Sequence, residues 1–211
     1  MEICQRRKIT TLVHFTRLRN LPSILMRGLL PRLDLETLRG DDIVFNDMQR
    51  FDGLKNASCL SITFPNYKMF YKQRQYHLEP WVVLGIDARV LWEFECAYCT
   101  ANASSNALRF IPLSVRQQPD ALERMFDDFH KNGHVVHRSM LPIDDNHTTN
   151  PQAEVLAFGR IPQEYFHAIY FEDEYLMRQL QSHHETRAQH IRISVCSDYF
   201  KPRRDYAFWQ D

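Results

Sequence analysis

The amino-acid sequence lacks the features that define several common classes of protein. Lysine plus arginine and aspartate plus glutamate both number 26, so the chain has no net charge at pH 7 and offers nucleic acid no overall basic field. It has no run of about 18 apolar residues, which a membrane-spanning helix needs, and no apolar segment typical of a secretory signal at its N-terminus. These absences predict a cytoplasmic protein without a membrane partner, which could contact nucleic acid only through a local patch.

Metal and redox motifs are incomplete. The five cysteines form no even-numbered disulfide framework, and CAYC at 96–99 has no second CxxC or nearby CxxH to supply four metal ligands. His130, His134 and His137 are not presented on one helix face because Asn132-Gly133 interrupts them, and HExxH does not occur. The sequence therefore predicts no metal. The absence of GxGxxG also argues against a Rossmann dinucleotide fold.

What is present predicts one compact domain over residues 1–211, since 211 residues with 44% apolar content can bury one sizeable core. Apolar, β-branched runs predict strands within 10–16 (TTLVHFT), 57–64 (ASCLSITF), 81–87 (WVVLGID) and 166–171 (FHAIYF). The pattern is mixed α and β, without repeats or an evident linker.

Helix ends are indicated by capping and breaking residues. A short helix is expected over 20–31, with Asn20 as its N-cap and Gly28 near its end. A second is expected over 118–133, capped by Asp120 and stopped by Asn132-Gly133.

Two other segments are predicted to be loops because they show little periodicity. Residues 94–110 are expected to be loop with short structure, and residues 137–152 a polar surface loop long enough to suggest function. This second loop leads to Glu154, a carboxylate at the mouth of the apolar run AEVLAF. Taken singly, each of three candidate residues has an ordinary structural explanation. Glu154 could lie at a solvated strand end, Arg50 could be a surface residue, and His14 could be a ring that is hydrogen-bonded to backbone.

Three motifs taken in order resemble the DarT family of bacterial ADP-ribosyltransferase toxins. They are HFT at 14–16 followed by RLRNLPSILMRGLLP, then NDMQRFDGLKNASCLSITFPNYKMFY at 46–71, then NPQAEVLAF at 150–158. The resemblance covers roughly residues 9–195. It implies an α+β, ADP-ribosyltransferase-like fold in which two packed antiparallel sheets, with flanking helices, form a cleft for NAD. It also implies an enzyme that uses NAD to modify bases of single-stranded DNA.

Carried over residue by residue, the resemblance implies that Arg50 and Glu154 are catalytic. It implies that His14, Thr16, Asn20 and Arg50 contact NAD. The chemistry fits these residue types, because breaking the bond between nicotinamide and ribose builds oxocarbenium character that a carboxylate stabilises. An arginine can bind a phosphate through its planar fork. His14 and Thr16 are two apart on a strand, so both point to one face and Phe15 to the other.

Nucleic-acid contacts are predicted in NYKMFYKQRQY at 66–76, where aromatic rings alternate with basic side chains in a composition suited to single strands. The predicted contacts are Tyr67, Lys68, Tyr71, Lys72 and Arg74. The alternative is that two of the aromatic residues belong to the core of a helix.

Several alternatives stay open at this point. The acceptor could be RNA in place of DNA, and the resemblance implies an antitoxin partner, either a macrodomain hydrolase or a binding protein. A metal-dependent nuclease is suggested by the acids of DDNHTTN, although AEVLAF lacks a following lysine. A non-catalytic nucleic-acid-binding module would use the segment 66–76 and leave His14 and Glu154 unexplained.

Overall fold

The computed structural model describes residues 1–38, 53–183 and 190–210, so Arg50 lies outside the described residues. The α-helices are α1 (Glu2–Arg6), α2 (Leu21–Arg27), α3 (Arg32–Thr37), α4 (Tyr67–Tyr76), α5 (Val90–Glu93), α6 (Asn106–Arg109), α7 (Leu113–Arg116), α8 (Pro119–Arg124) and α9 (Glu174–His183). The strands are β1 (Thr11–Arg17), β2 (Ala57–Ile62), β3 (Trp81–Asp87), β4 (Cys96–Cys99), β5 (Phe129–Lys131), β6 (His134–Val136), β7 (Glu154–Phe158), β8 (Phe166–Phe171) and β9 (Arg192–Val195). Short 3₁₀ turns occur at Leu18–Asn20, Arg138–Met140, Gln163–Tyr165, Ser197–Phe200 and Tyr206–Trp209.

A seven-stranded sheet with the order β4-β7-β2-β1-β3-β8-β9 forms the centre of the fold. All neighbours are antiparallel except β8 and β9, which are parallel. Strand β1 pairs with β3 along seven residues but has two register pairs with β2, Leu12↔Ile62 and Val13↔Ser61. Among the described residues, the sheet therefore consists of two halves, β4-β7-β2 and β1-β3-β8-β9, joined at one end of β1.

This arrangement confirms the expected α+β class, with a mostly antiparallel sheet in two halves and flanking helices. The pair β8 and β9 is parallel. The short β1–β2 ladder keeps the halves continuous, while the rest of β1 pairs with β3 alone in the register. The predicted strands in β1, β2, β3 and β8 are confirmed.

Both faces of the sheet are covered, because side chains on a strand alternate between them. On one face Leu12 and Leu84 belong to the largest core cluster, together with residues from α2, α5 and α8. On the other face Val13 and Val83 pack with Phe70 of α4. Phe70 is 2% exposed, and burying such a ring contributes about 1.5–3 kcal/mol. The side of α4 that carries Phe70 thus packs on the sheet.

The region after α8 differs from the expected helix over 118–133. Helix α8 ends at Arg124, and β5 and β6 form a two-stranded hairpin. Asn132 and Gly133 have φ angles of 49° and 82°, as a two-residue type I′ turn requires. Asn-Gly therefore turns a hairpin here and does not stop a helix. The N-cap of α8 is Gln118, and Asp120 lies in its first turn.

The two predicted loops also contain more structure than expected. Residues 96–99 form strand β4, whose apolar side chains are buried against β7. Near the end of the 137–152 segment, Thr148 and Thr149 are buried, and their carbonyl oxygens accept hydrogen bonds of 2.8 Å each from the Arg203 guanidinium. The segment is therefore not wholly a surface loop. Polar residues can be buried here because a distant arginine satisfies their backbone.

Helix α2 ends as predicted, but Asn20 does not cap it through its side chain. Gly28 has a φ of 82°, and an added Cβ would lie 2.5 Å from the Ile161 carbonyl oxygen. This close approach accompanies an isolated bridge between Leu29 and Ile161. Glycine is required at this position because it tolerates both the left-handed backbone and the contact.

Candidate active site

Glu154 is the first residue of β7 and is 4% exposed. It lies opposite Cys99 of β4, so it is an inner position of the sheet's first half. The expectation that Glu154, taken alone, lies on a solvated strand end is therefore wrong. A buried carboxylate needs hydrogen-bond donors, because burial without them is costly.

Three of the donors to this carboxylate come from two different segments. The Ala103 backbone N–H donates to Oε2 at 2.8 Å. The side-chain amide of Asn102 donates to Oε1 at 3.2 Å, and that of Asn66 donates to the same oxygen at 3.4 Å. Asn66 precedes α4, and Asn102 and Ala103 follow β4. The carboxylate is thereby held in one orientation by the helix on one side and the loop on the other.

His14 lies on β1 and makes a hydrogen bond across to β2. Its Nδ1 is 2.9 Å from the carbonyl oxygen of Cys59, and since a carbonyl only accepts, Nδ1 carries the proton and donates. Burial lowers the pKa of His14 below its ordinary value, and the bond to Cys59 opposes this more weakly. The ring is therefore neutral at pH 7, and its Nε2 carries a lone pair.

Thr16 and Asn20 contact each other. Thr16 is 1% exposed, and its hydroxyl oxygen accepts a hydrogen bond of 3.1 Å from the side-chain amide of Asn20. Asn20 closes the 3₁₀ turn that follows β1, so this contact ties the turn back to the strand. Two of the predicted NAD-binding residues are therefore neighbours. Phe15 is stacked 4.6 Å from the ring of Phe70, and its ring centroid lies 6.4 Å from that of His14.

Strand β2 connects His14 with Glu154. His14 bonds Cys59 on β2, and Cys59 is the register partner of Leu156, two residues after Glu154 on β7. Strands β1 and β7 flank β2 in the strand order. Arg50 lies outside the described residues, so a cleft that unites His14, Arg50 and Glu154 stays a prediction.

The five predicted nucleic-acid contacts all lie on α4, and the structure separates them into two groups. The first group consists of Tyr67 and Arg74, which make contacts within the protein. Tyr67 is buried, and burial and nearby Asp205 raise the pKa of its hydroxyl to about 12. Arg74 donates to the Glu172 carboxylate at 2.6 Å and to the Phe200 carbonyl at 2.9 Å.

The second group consists of Lys68, Tyr71 and Lys72, which are spaced i, i+3 and i+4 and therefore share one side of the helix. Tyr71 is 64% exposed. The alternative that two aromatic residues of this segment belong to a helix core is confirmed for Tyr67 and Phe70.

Asn66 and Asn102 are site residues that the sequence analysis missed. Asn66 could have been noticed, because it stands before the helical pattern of α4 where an N-cap is expected, and its side chain does accept from Met69 N–H at 3.1 Å. Asn102 gave no comparable signal, since the TANASSN segment lacks periodicity. Its approach to Glu154 arises only from the pairing of β4 with β7.

Within residues 1–38, 53–183 and 190–210, no group of three or more His, Cys, Asp or Glu is placed to hold a metal ion. Among the helices in these ranges, none has the length and apolar character needed to cross a bilayer.

The halved sheet, with a buried glutamate at the start of an inner strand, is the arrangement of an ADP-ribosyltransferase-like fold. A family model described as "ssDNA thymidine ADP-ribosyltransferase, DarT" matches residues 13–201, and the chain belongs to this family. The resemblance inferred from three short motifs is thereby confirmed. The nuclease, the non-catalytic module and the RNA acceptor find no support in this match.

Solved structures give the same fold. The chain is similar to Thermus sp. 2.9 DarT in complex with NAD+, with a TM-score of 0.60, 16% identity, and coverage of 92% of this chain and 98% of that one. It is similar to the same protein in complex with ADP-ribosylated ssDNA, with a TM-score of 0.62, 14% identity, and coverage of 92% and 97%.

A third similar structure is longer than this chain. Thermosipho africanus DarTG in complex with ADP-ribose matches with a TM-score of 0.60 and 16% identity over 92% of this chain, which spans 52% of that one. At these identities the likeness establishes the fold. Comparison with curated protein sequences gives no match.

Proposed function

We propose that this protein transfers ADP-ribose from NAD to a thymidine base of single-stranded DNA and releases nicotinamide. The observation that carries the proposal is Glu154, a buried carboxylate fixed by three N–H donors within a family of such transferases. Thermus sp. 2.9 DarT has been observed with both NAD+ and ADP-ribosylated ssDNA, which supports the same donor and acceptor here.

In the proposed reaction the bond between ribose C1 and nicotinamide nitrogen breaks, and its electron pair leaves with nicotinamide. The oxocarbenium character that develops on the ribose is stabilised by the negative charge of Glu154. A bond then forms between ribose C1 and the base nitrogen, and the proton of that nitrogen passes to the Glu154 carboxylate. Glu154 returns the proton to solvent after the product leaves.

His14 and Thr16 are proposed to bind the donor. Neutral His14 can accept a hydrogen bond at Nε2 from a ribose hydroxyl or from the nicotinamide amide, since its Nδ1–H is engaged with Cys59. The side-chain amide of Asn20 donates to the hydroxyl of Thr16, which lies on β1 as His14 does, and this bond orients the hydroxyl. Arg50 remains the proposed partner of the NAD pyrophosphate, because its planar fork suits bidentate phosphate binding.

The acceptor strand is proposed to lie along the outer side of α4. Lys68 and Lys72 would neutralise phosphates, and exposed Tyr71 would stack on a base. Asn66 places the start of this helix next to Glu154, so a strand on α4 would present its bases toward the carboxylate. A base within a duplex would first have to unstack, which favours single strands.

The direct test uses the purified protein with NAD and, separately, single-stranded DNA, duplex DNA and RNA. We expect nicotinamide release and an ADP-ribose adduct on thymidine in single-stranded DNA, located by mass spectrometry. Oligonucleotides of dT and dA provide a matched pair, and dA should stay unmodified. Absence of an adduct on every substrate would refute the proposal.

We further propose that the protein acts as a toxin restrained by an antitoxin. The support is its similarity to a Thermosipho africanus protein designated DarTG, of whose chain this one spans 52%. The antitoxin would be a macrodomain hydrolase that removes the adduct, or a protein that binds the toxin. Expression of the chain should inhibit growth, and expression of an inactive variant should not.

A further inference from the structure

The side-chain amides of Asn66 and Asn102 use their oxygen and their NH₂ group for the same two kinds of contact, although the residues lie in different parts of the fold. The Oδ1 of Asn66 accepts from Met69 N–H at 3.1 Å, and the Oδ1 of Asn102 accepts from Ser104 N–H at 3.0 Å. The Nδ2 of each donates to Oε1 of Glu154, at 3.4 Å and 3.2 Å. One end of each amide thus serves the local backbone, and the other end serves the same carboxylate oxygen.

These contacts determine which way each amide faces. A backbone N–H can only donate, so the amide end that meets it must be the oxygen, and the NH₂ end must face Glu154. Asn66 is 1% exposed, which leaves little room for another rotamer. Its own backbone N–H also donates to the Ser61 hydroxyl on β2 at 3.2 Å, so the residue is fixed to the sheet as well as to α4.

We propose that Asn66 and Asn102 are positioning residues that hold the Glu154 carboxylate for transfer, and that Asn66 couples the acceptor-binding helix α4 to it. The kinetic part of this inference rests on the proposed function. Asn66 is the N-cap of α4, the helix that carries Lys68, Tyr71 and Lys72, so any shift of α4 on binding a strand moves the donor at Oε1.

The charged and titratable groups around the carboxylate set the background for a test. Cys99 lies opposite Glu154 on β4, and Arg116 of α7 donates to its sulfur at 3.6 Å. Tyr67 follows Asn66 on α4, and its hydroxyl is neutral because its pKa is raised to about 12. Among the ionisable groups of the described residues, Glu154 itself would lie closest to a new negative charge at position 66 or 102.

Asn→Asp substitutions separate a positioning role from a structural one. Aspartate caps helices as well as asparagine does, so Asn66→Asp keeps the acceptor for Met69 N–H and with it the cap of α4. It removes the N–H that faces Glu154 and puts a second carboxylate there. Asn102→Asp makes the same exchange from the other side. Asn132→Asp is the matched control, with the same charge change at an exposed hairpin turn.

The readout is the titration of the Glu154 carboxyl carbon by NMR, assigned by loss of its signal in Glu154→Gln. We expect Asn66→Asp and Asn102→Asp to move this titration upward by about one pH unit or more, since two adjacent carboxylates do not ionise together easily. Asn132→Asp should leave it unchanged. In transfer assays the acid limb of kcat should move by the same amount, with KM for NAD unchanged.

An unshifted Glu154 titration in both variants would overturn the inference, as would an equal shift in Asn132→Asp. If Asn66→Asp fails to fold, Asn102→Asp decides by the same criterion. The titration does not depend on turnover, so it tests the asparagine pair even if the wild-type protein transfers nothing to DNA. That second result would refute only the proposed function.

Discussion

Glu154→Gln exchanges one carboxylate oxygen for an NH₂ group of nearly the same size, and the surrounding donors determine its effect on stability. If the NH₂ takes the place of Oε1, it faces the NH₂ groups of Asn66 and Asn102. Neither asparagine can turn its oxygen inward without losing its bond to Met69 or Ser104. If the NH₂ takes the place of Oε2, it faces the Ala103 N–H at 2.8 Å.

A buried donor is therefore left without an acceptor in either orientation. Such an unsatisfied group costs about 1–3 kcal/mol of the free energy of unfolding. For a chain of this size each kcal/mol lowers Tm by about 2–4 °C, so we expect a fall of about 2–12 °C, measured by calorimetry. Glu174→Gln is the matched control, because Glu174 is an exposed partner of Arg178 and its change should stay within about 0.5 kcal/mol.

The effect of Glu154→Gln on activity should be much larger than its effect on folding. The variant loses the charge that stabilises the ribose cation and the base that takes the proton, and general-base loss alone slows reactions by about 10²–10⁴-fold. Single-turnover transfer to a thymidine oligonucleotide, followed by mass spectrometry well below Tm, measures this directly. Transfer at near the wild-type rate would refute the catalytic role, and an unchanged Tm would refute the argument from the three donors.

Arg50→Ala should raise the KM for NAD, and an unchanged NAD titration would remove Arg50 from the site. Lys72→Glu should weaken binding to single-stranded DNA and lower the salt slope by about one, with Tm unchanged; equal salt slopes would contradict a phosphate contact. Arg74→Ala should instead lower Tm, because Arg74 bonds the Glu172 carboxylate. His14 has a pKa below its ordinary value of 6.5, so the unfolded chain takes up its proton more readily and stability falls as pH drops through 6.5. Replacement by Gln should flatten this fall by up to about 1.4 kcal/mol per pH unit in urea unfolding between pH 7 and 5, and parallel curves would contradict it.

The strands β1, β2, β3 and β8 and the short helix α2 could be predicted because their signals are local. Apolar, β-branched runs and a Gly-Leu-Leu-Pro ending determine them within a few residues. Asn132-Gly133 shows the limit of such signals, since the same dipeptide can stop a helix or turn a hairpin. The neighbouring strand decided between these outcomes, because β5 and β6 pair across the turn.

The sequence by itself determined the family, because three motifs in order resemble it, and the sequence also singled out His14 and Glu154 as residues that need explanation. Only the tertiary structure decided how the carboxylate is held. Asn66 and Asn102 are 88 and 52 residues from Glu154 along the chain, and β-sheet pairing brings their amides to it. The ladder of two register pairs between β1 and β2 likewise forms only through the pairing of distant segments. Hydrogen bonds between distant segments leave no periodicity in a sequence, so the contacts that orient the site appear only when the strands have paired.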